Sequence, residues 1–139
     1  MPYDNDNIFA KILRGELPAF TVYENDHCLA FLDVMPQSDG HTLVLPKQSA
    51  QNLFDLDDES AKHLIITVRK VAGAVRDAFS PDGIRLMQLN GEAAGQTVMH
   101  LHMHIVPCYA NSTPRSHAQQ MAESDILEKH AAKIRAAIH

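Results

Sequence analysis

The sequence predicts an α+β domain. Three observations carry that expectation: five short apolar runs bounded by turn residues, one long segment of helical periodicity between the third and fourth of them, and connections mostly short enough to join antiparallel neighbours. Asn7 to Gly15 carries Ile8, Phe9, Ile12 and Leu13 at helical spacing, and Gly15 is placed to end a short helix before Pro18. Phe20 to Glu24 and Cys28 to Leu32 follow as two strands, and Asn25-Asp26-His27 between them reads as a hairpin turn. Val34 to Gly40 is turn chemistry, after which His41 to Leu45 forms a third strand that Pro46 stops. Asp57 to Phe79 is the long helix: Leu64, Val68, Val71, Val75 and Phe79 fall on one face, and Asp57, Asp58 and Glu59 suit the positive end of its dipole. Ser80-Pro81-Asp82-Gly83 closes it. Ile84 to Leu89 and Val98 to Val106 are the last two strands, around Asn90-Gly91 and a small-residue loop. After a polar stretch from Asn111 to Gln120, Asp125 and Glu128 can form a capping arrangement, and Leu127, Ala131, Ile134 and Ile138 predict a C-terminal helical extension over about 124–138.

No internal repeat, low-complexity tract or Pro/Gly linker divides the chain, so residues 1–139 are expected to form one domain. With 139 residues the domain can bury roughly 68% of its unfolded surface, enough for a real core. No apolar run approaches the ~18 residues of a membrane helix, and the opening Met1-Pro2-Tyr3-Asp4-Asn5-Asp6 lacks the parts of a signal peptide. A cytoplasmic protein without membrane partners is therefore expected. The 12 Lys and Arg against 17 Asp and Glu give a charge of −5, and with no basic block the chain is not expected to bind a nucleic-acid polymer. Cys28 and Cys108 are too few for a disulfide framework.

Nine histidines in a chain without tryptophan ask for a chemistry. His100, His102 and His104 recur at strict period two. On a strand they share one face at about 7 Å intervals, while Leu101, Met103 and Ile105 line the other face against the core. Imidazole titrates near neutrality, so a row of rings can hold one as a neutral nucleophile while a neighbour donates or relays a proton. A metal reading of the same row asks for a carboxylate in phase with it, and the strand offers none. His27, His63, His117, His130 and His139 lie outside the pattern and read as structural or solvated. Just before the row, Asn90 to Gln96 is a small-residue connection whose amides could approach a phosphate, although Asn-Gly alone is also simply a tight turn.

His100-Leu101-His102-Met103-His104-Ile105-Val106 resembles the signature of the histidine-triad (HIT) family, His-φ-His-φ-His-φ-φ with φ apolar. Phe31-Leu32-Asp33-Val34-Met35-Pro36, Gly40-His41-Thr42-Leu43-Val44-Leu45-Pro46-Lys47 and Ile8 to Ala19 resemble its other blocks, so the likeness covers about residues 7–109. The resemblance implies a HIT-like fold: a five-stranded antiparallel sheet, with a homodimer joining two sheets into ten strands. It implies that His102 attacks the α-phosphorus of a purine nucleotide derivative, forming a nucleotidyl-histidine that water cleaves. His100 and His41 would orient the ring, and His104 would stand near the leaving group. Gln96 and Thr97 would meet the α-phosphate with Asn90 beside them, Asp33 would bind ribose hydroxyls, and Ile8, Phe9, Ile12, Phe31 and Val34 would wall a purine. Apolar residues at these spacings are equally those of a core.

Many bacterial relatives carry zinc on a Cys-x-x-Cys, a later histidine and the first triad histidine. The first three places here hold Asn7, Ala10 and Ser49, so no metal or other cofactor is expected. Relatives often have Arg after the proline that follows the triad, where this chain has Cys108, and about 30 residues follow the triad strand, which leaves the subfamily open. The expected substrate is a nucleoside phosphoramidate or an acyl-adenylate. Dinucleoside polyphosphate hydrolysis is the alternative within the class, and a nucleotide-binding scaffold with weak turnover the alternative outside it.

Overall fold

The computed structural model describes residues 2–115 and 120–139; residues 116–119 of the polar stretch, His117 among them, lie outside the described residues. Helix α1 (Ile8–Leu13) begins where the Asn7 side chain accepts the Ala10 amide. It ends as expected at Gly15, whose φ of +79° lets the Gly15 and Glu16 amides turn back onto the carbonyls of Ile12 and Lys11. Strands β1 (Thr21–Glu24) and β2 (Cys28–Leu32) form the hairpin, with the Asn25 side chain accepting the amides of His27 and Cys28. Strand β3 (Thr42–Pro46) pairs along β2, and Pro46 is its last paired residue, opposite Cys28, rather than the first residue beyond it.

Helix α2 (Asp58–Phe79) starts on an Asp57 side chain that accepts the Ser60 amide, and ends at Ser80 in the left-handed region. Strands β4 (Gly83–Met87) and β5 (Met103–Cys108) complete an antiparallel sheet of order β1-β2-β3-β5-β4, and α3 (Ser124–Ala137) closes the described chain. This is the five-stranded α+β arrangement the sequence predicts.

One face of the sheet carries the main core. Leu64, Val68, Val71 and Val75 of α2 and Leu127, Ala131 and Ile134 of α3 meet Ala30, Leu32, Val44 and Ile105. Each fully buried Val, Leu or Ile there contributes about 1.5–3 kcal/mol. The other face buries Phe9, Leu29, Phe31, Leu43 and Leu45 under α1. Phe79, partly buried, lies against Gly40: a Cβ at Gly40 would stand 2.9 Å from a Phe79 ring carbon, and its φ of +92° independently excludes most side chains.

Two local expectations are corrected. The last strand begins at Met103, not Val98, because the preceding residues give their polar groups to loop partners: the Leu101 amide bonds the Ala50 carbonyl, and the Gln96 side chain bonds the Val98 carbonyl. Leu101, Met103 and Ile105 nevertheless face the α2 core as the alternation predicts. At α3 the capping position is Glu123, without a side-chain cap bond. Glu128 instead pairs with Arg135, which also donates to the Thr21 carbonyl and ties α3 to the β1 edge.

Candidate active site

Backbone pairing sets the site. Asp33, just past β2, donates its amide to the carbonyl of His41, just before β3, so the turn from Val34 to Gly40 projects from a closed base. His104 lies within β5 opposite Leu43, whereas His100 and His102 precede the strand. All four imidazoles are buried, as is Asp33.

The hydrogen bonds assign the tautomers. The His102 Nδ1 stands 2.7 Å from the His100 carbonyl, an acceptor only, so Nδ1 carries the proton and the lone pair lies on Nε2. The His41 Nδ1 accepts the Gln37 amide at 3.0 Å. A neutral His41 therefore carries its proton on Nε2 and donates it to His104 Nδ1 at 2.9 Å, which leaves the proton of His104 on Nε2. The His100 Nε2 donates to the Pro46 carbonyl at 2.8 Å, and its Nδ1 accepts from the Tyr3 hydroxyl at 2.5 Å. Burial pushes the His100 imidazole below its ordinary range, opposed in part by the Pro46 carbonyl. The rings of His102 and His104 are 4.9 Å apart, tilted by 58°, closer than the 7 Å of a regular strand. The arrangement sets a nitrogen lone pair beside an N–H donor, which is what displacement at phosphorus requires.

A cavity of about 440 Å³ opens beside His102. Ile8, Phe9, Ile12, Phe31 and Val34, the five residues proposed as a purine wall, all line it together with Asp33, Thr97 and His102. Phe9 meets the His102 ring edge-on at 4.9 Å. Ile8 and Val34 are half exposed at its rim, apolar surface that a bound base would cover. Leu17, Pro18, Ala19 and Val98 also line it; in the sequence Leu17 to Ala19 stand out only as part of the opening block that resembles the family.

Gln96 and Asn90 do not line this cavity. The Gln96 side chain is buried, accepts the Gly91 amide and donates to the carbonyls of Gln51 and Val98. Asn90 accepts the Leu53 amide and exchanges bonds with Gln88. Both brace the loop that presents Thr97. Asp33 and His41 also line a second cavity of about 240 Å³ with Asp39, Arg115 and His130.

Of the five histidines set aside, His27 and His63 stack on each other at 3.5 Å near the surface, His130 packs edge-on against Phe79, and His139 is exposed.

Two metal arrangements fail on their donors. At the zinc position of relatives, the Asn7 carbonyl oxygen caps α1, Ala10 has no donor, and both His100 nitrogens are engaged by Tyr3 and Pro46. Asp33, His41 and His104 bring ligand-type atoms within 4.8 Å of one another, and Asp33, just past β2, supplies the carboxylate that the row itself lacks. There the Gln37 amide fills the His41 Nδ1 lone pair, so Nε2 bears a proton where a cation would need an electron pair.

Fold and site together define a class: small α+β proteins in which a row of three imidazoles runs into a strand of one sheet beside an apolar cavity. The chain belongs to the HIT family, since the HIT domain matches residues 14–111. It is 49% identical over 102 residues to Protein hit of Bacillus subtilis, covering 73% of this chain and 70% of that protein. It is 35% identical over 130 residues to adenylylsulfatase HINT3 of Arabidopsis thaliana, covering 94% of this chain but only 62% of that longer protein. The crystal structure of a Hit-like protein from Bartonella henselae superposes with a TM-score of 0.92 at 48% identity, over 99% of this chain and 100% of that one. The crystal structure of a hypothetical histidine triad nucleotide-binding protein from Sulfolobus tokodaii gives 0.86 at 34% identity, over 93% of this chain and 89% of that one.

Proposed function

We propose that this protein hydrolyses purine nucleoside monophosphate derivatives through a covalent intermediate on His102. The observation that carries the reading is the 2.7 Å bond from His102 Nδ1–H to the His100 carbonyl, which leaves the Nε2 lone pair on a ring lining the apolar cavity. The Nε2 lone pair forms the bond to the α-phosphorus as the bond to the leaving group breaks, and His104 Nε2–H donates to the departing atom. Water then adds to phosphorus and returns a proton to His104 Nε2, the P–N bond breaks, and the nucleotide leaves with His102 and His104 restored. The base would sit among Phe9, Ile12 and Phe31, the ribose hydroxyls on Asp33 and the α-phosphate near Thr97.

Among the described residues, no Lys or Arg lines the cavity beside His102, so a long polyphosphate would find no cation there. This favours a phosphoramidate, an acyl-adenylate or an adenylyl sulfate, the last acted on by the HINT3 relative according to its name, over a dinucleoside polyphosphate. A turnover panel of these substrates, with mass spectrometry for the nucleotidyl-His102 adduct, tests the reading. His102→Ala is expected to abolish turnover while nucleotide affinity stays within about tenfold. Binding without turnover or adduct in the wild type would favour a nucleotide-binding scaffold.

We further infer a homodimer through β4. That strand is a sheet edge, and Leu86 on it with Ile65 on α2 expose apolar surface beside Arg69 and Arg76, whereas Arg135 binds a carbonyl of the opposite edge strand, β1. Sedimentation at micromolar concentration should show a dimer that Leu86→Lys dissociates; a wild-type monomer refutes it.

A further inference from the structure

We propose that Tyr3 is a positioning residue for this reaction, acting through His100 on the nucleophile. The proposal rests on His102 being the nucleophile. Tyr3 is 97 residues from His100, yet its hydroxyl stands 2.5 Å from His100 Nδ1 and its ring meets the imidazole edge-on at 5.7 Å. His100 has no exposed surface, and its Nε2 proton is already committed to the Pro46 carbonyl. The Nδ1 lone pair is therefore a buried acceptor, and the Tyr3 hydroxyl donates to it.

The consequence reaches His102 by one covalent step. The carbonyl of His100 accepts the His102 Nδ1 proton, so whatever holds residue 100 holds the ring, rotamer and tautomer of the nucleophile. The sheet does not hold it, because β5 starts only at Met103. Residues 96–102 are instead pinned by the Leu101 amide on Ala50, by the Gln96 side chain, and by the two ring bonds of His100.

The segment bearing Tyr3 is itself tied down. The Pro2 carbonyl accepts from the Gln51 side chain at 2.8 Å, and the Asp4 carbonyl accepts from Asn7, the residue that caps α1. Gln51 works at both ends of the assembly, since its own carbonyl accepts the Gln96 amide group at 2.6 Å. The N-terminal segment thus closes over the back of the triad and completes its hydrogen bonding from outside the sheet.

Tyr3→Phe tests this, because it keeps the ring contact and removes only the hydroxyl. On an adenosine phosphoramidate, kcat should fall about tenfold to a hundredfold with KM within about twofold, the signature of a misaligned nucleophile rather than lost binding. In ¹⁵N NMR of the free protein the His100 Nδ1 resonance should move toward that of an unbonded imidazole nitrogen, and the His102 Nδ1–H resonance should shift or broaden. Gln51→Ala, which loosens the segment without touching His100, should give a smaller loss in kcat. Wild-type kcat in Tyr3→Phe overturns the proposal, as does a His102 Nδ1–H signal that does not move. If the wild type turns over no nucleotide, the hydrolase reading fails separately, and movement of the His102 signal in Tyr3→Phe still decides whether Tyr3 positions that ring.

Discussion

His41 Nε2 lies 2.9 Å from His104 Nδ1, and because the Gln37 amide occupies the other nitrogen of His41, the bond runs in one direction, from His41 to His104. His104 is thereby held as the tautomer with its proton on Nε2. His102 beside it has the opposite tautomer, so one ring offers electrons and the next offers a proton.

That polarity predicts the behaviour of His104→Ala. The variant should lose about a hundredfold or more in kcat with an alkylamine leaving group, which needs a hydrogen bond as it departs, and much less with an activated aryl leaving group. A leaving-group series compared between wild type and variant reads the difference; equal losses across the series would remove His104 from the departure step.

Asp33 accepts the Met35 amide through one carboxylate oxygen, while the other stands 3.6 Å from His41 Nε2. Asp33→Asn keeps an acceptor for Met35 but removes the charge that a ribose diol would use. Adenosine monophosphate affinity by calorimetry should weaken about tenfold to a hundredfold, as expected for charge-assisted bonds. The wild-type preference over the 2′-deoxy nucleotide should shrink in parallel, and a preference that survives would place the ribose elsewhere.

The lowered titration of His100 makes stability depend on pH. In the unfolded chain this imidazole titrates near about 6.5, so as pH falls the unfolded state takes up the proton before the folded one does. The stability tied to a neutral His100 is fully present above about pH 6.5 and is lost progressively below it. Thermal melts of the wild type from pH 7.5 to 5.0 should show Tm falling over that interval, and His100→Gln, which cannot titrate, should show a shallower fall. Parallel curves would contradict the assignment.

Gly40 answers a packing demand as well as a conformational one. Gly40→Ala combines a left-handed φ with a Cβ 2.9 Å from the Phe79 ring, and should destabilise by about 2–3 kcal/mol in urea unfolding. Gly15→Ala also has a positive φ, of +79°, but nothing within 4 Å, and should cost about 1 kcal/mol. Equal costs would mean that Phe79 contributes nothing.

Much of this was legible in the chain itself. The α2 stripe, the acidic start of α2, the Gly15 stop and the alternation of Leu101, Met103 and Ile105 with the histidines all depend on neighbours within a few residues. The five apolar residues proposed for the purine wall come from three separate segments, and their convergence on one cavity followed from the family likeness rather than from periodicity. The start of β5 and the cap of α3 depart from the local pattern because other partners take the polar groups: Ala50, far along the chain, takes the Leu101 amide, and Arg135, two turns along α3, takes Glu128.

The sequence by itself determined the family, the order of the elements and the identity of the four histidines, since motif and hydrophobic period are written in residue types and spacing. The tertiary structure alone decided what each histidine can do. Which nitrogen keeps its lone pair depends on whether a carbonyl, an amide or a hydroxyl from another segment meets the ring. Those partners, the Gln37 amide, the Pro46 carbonyl and the Tyr3 hydroxyl, come together only when the chain is folded.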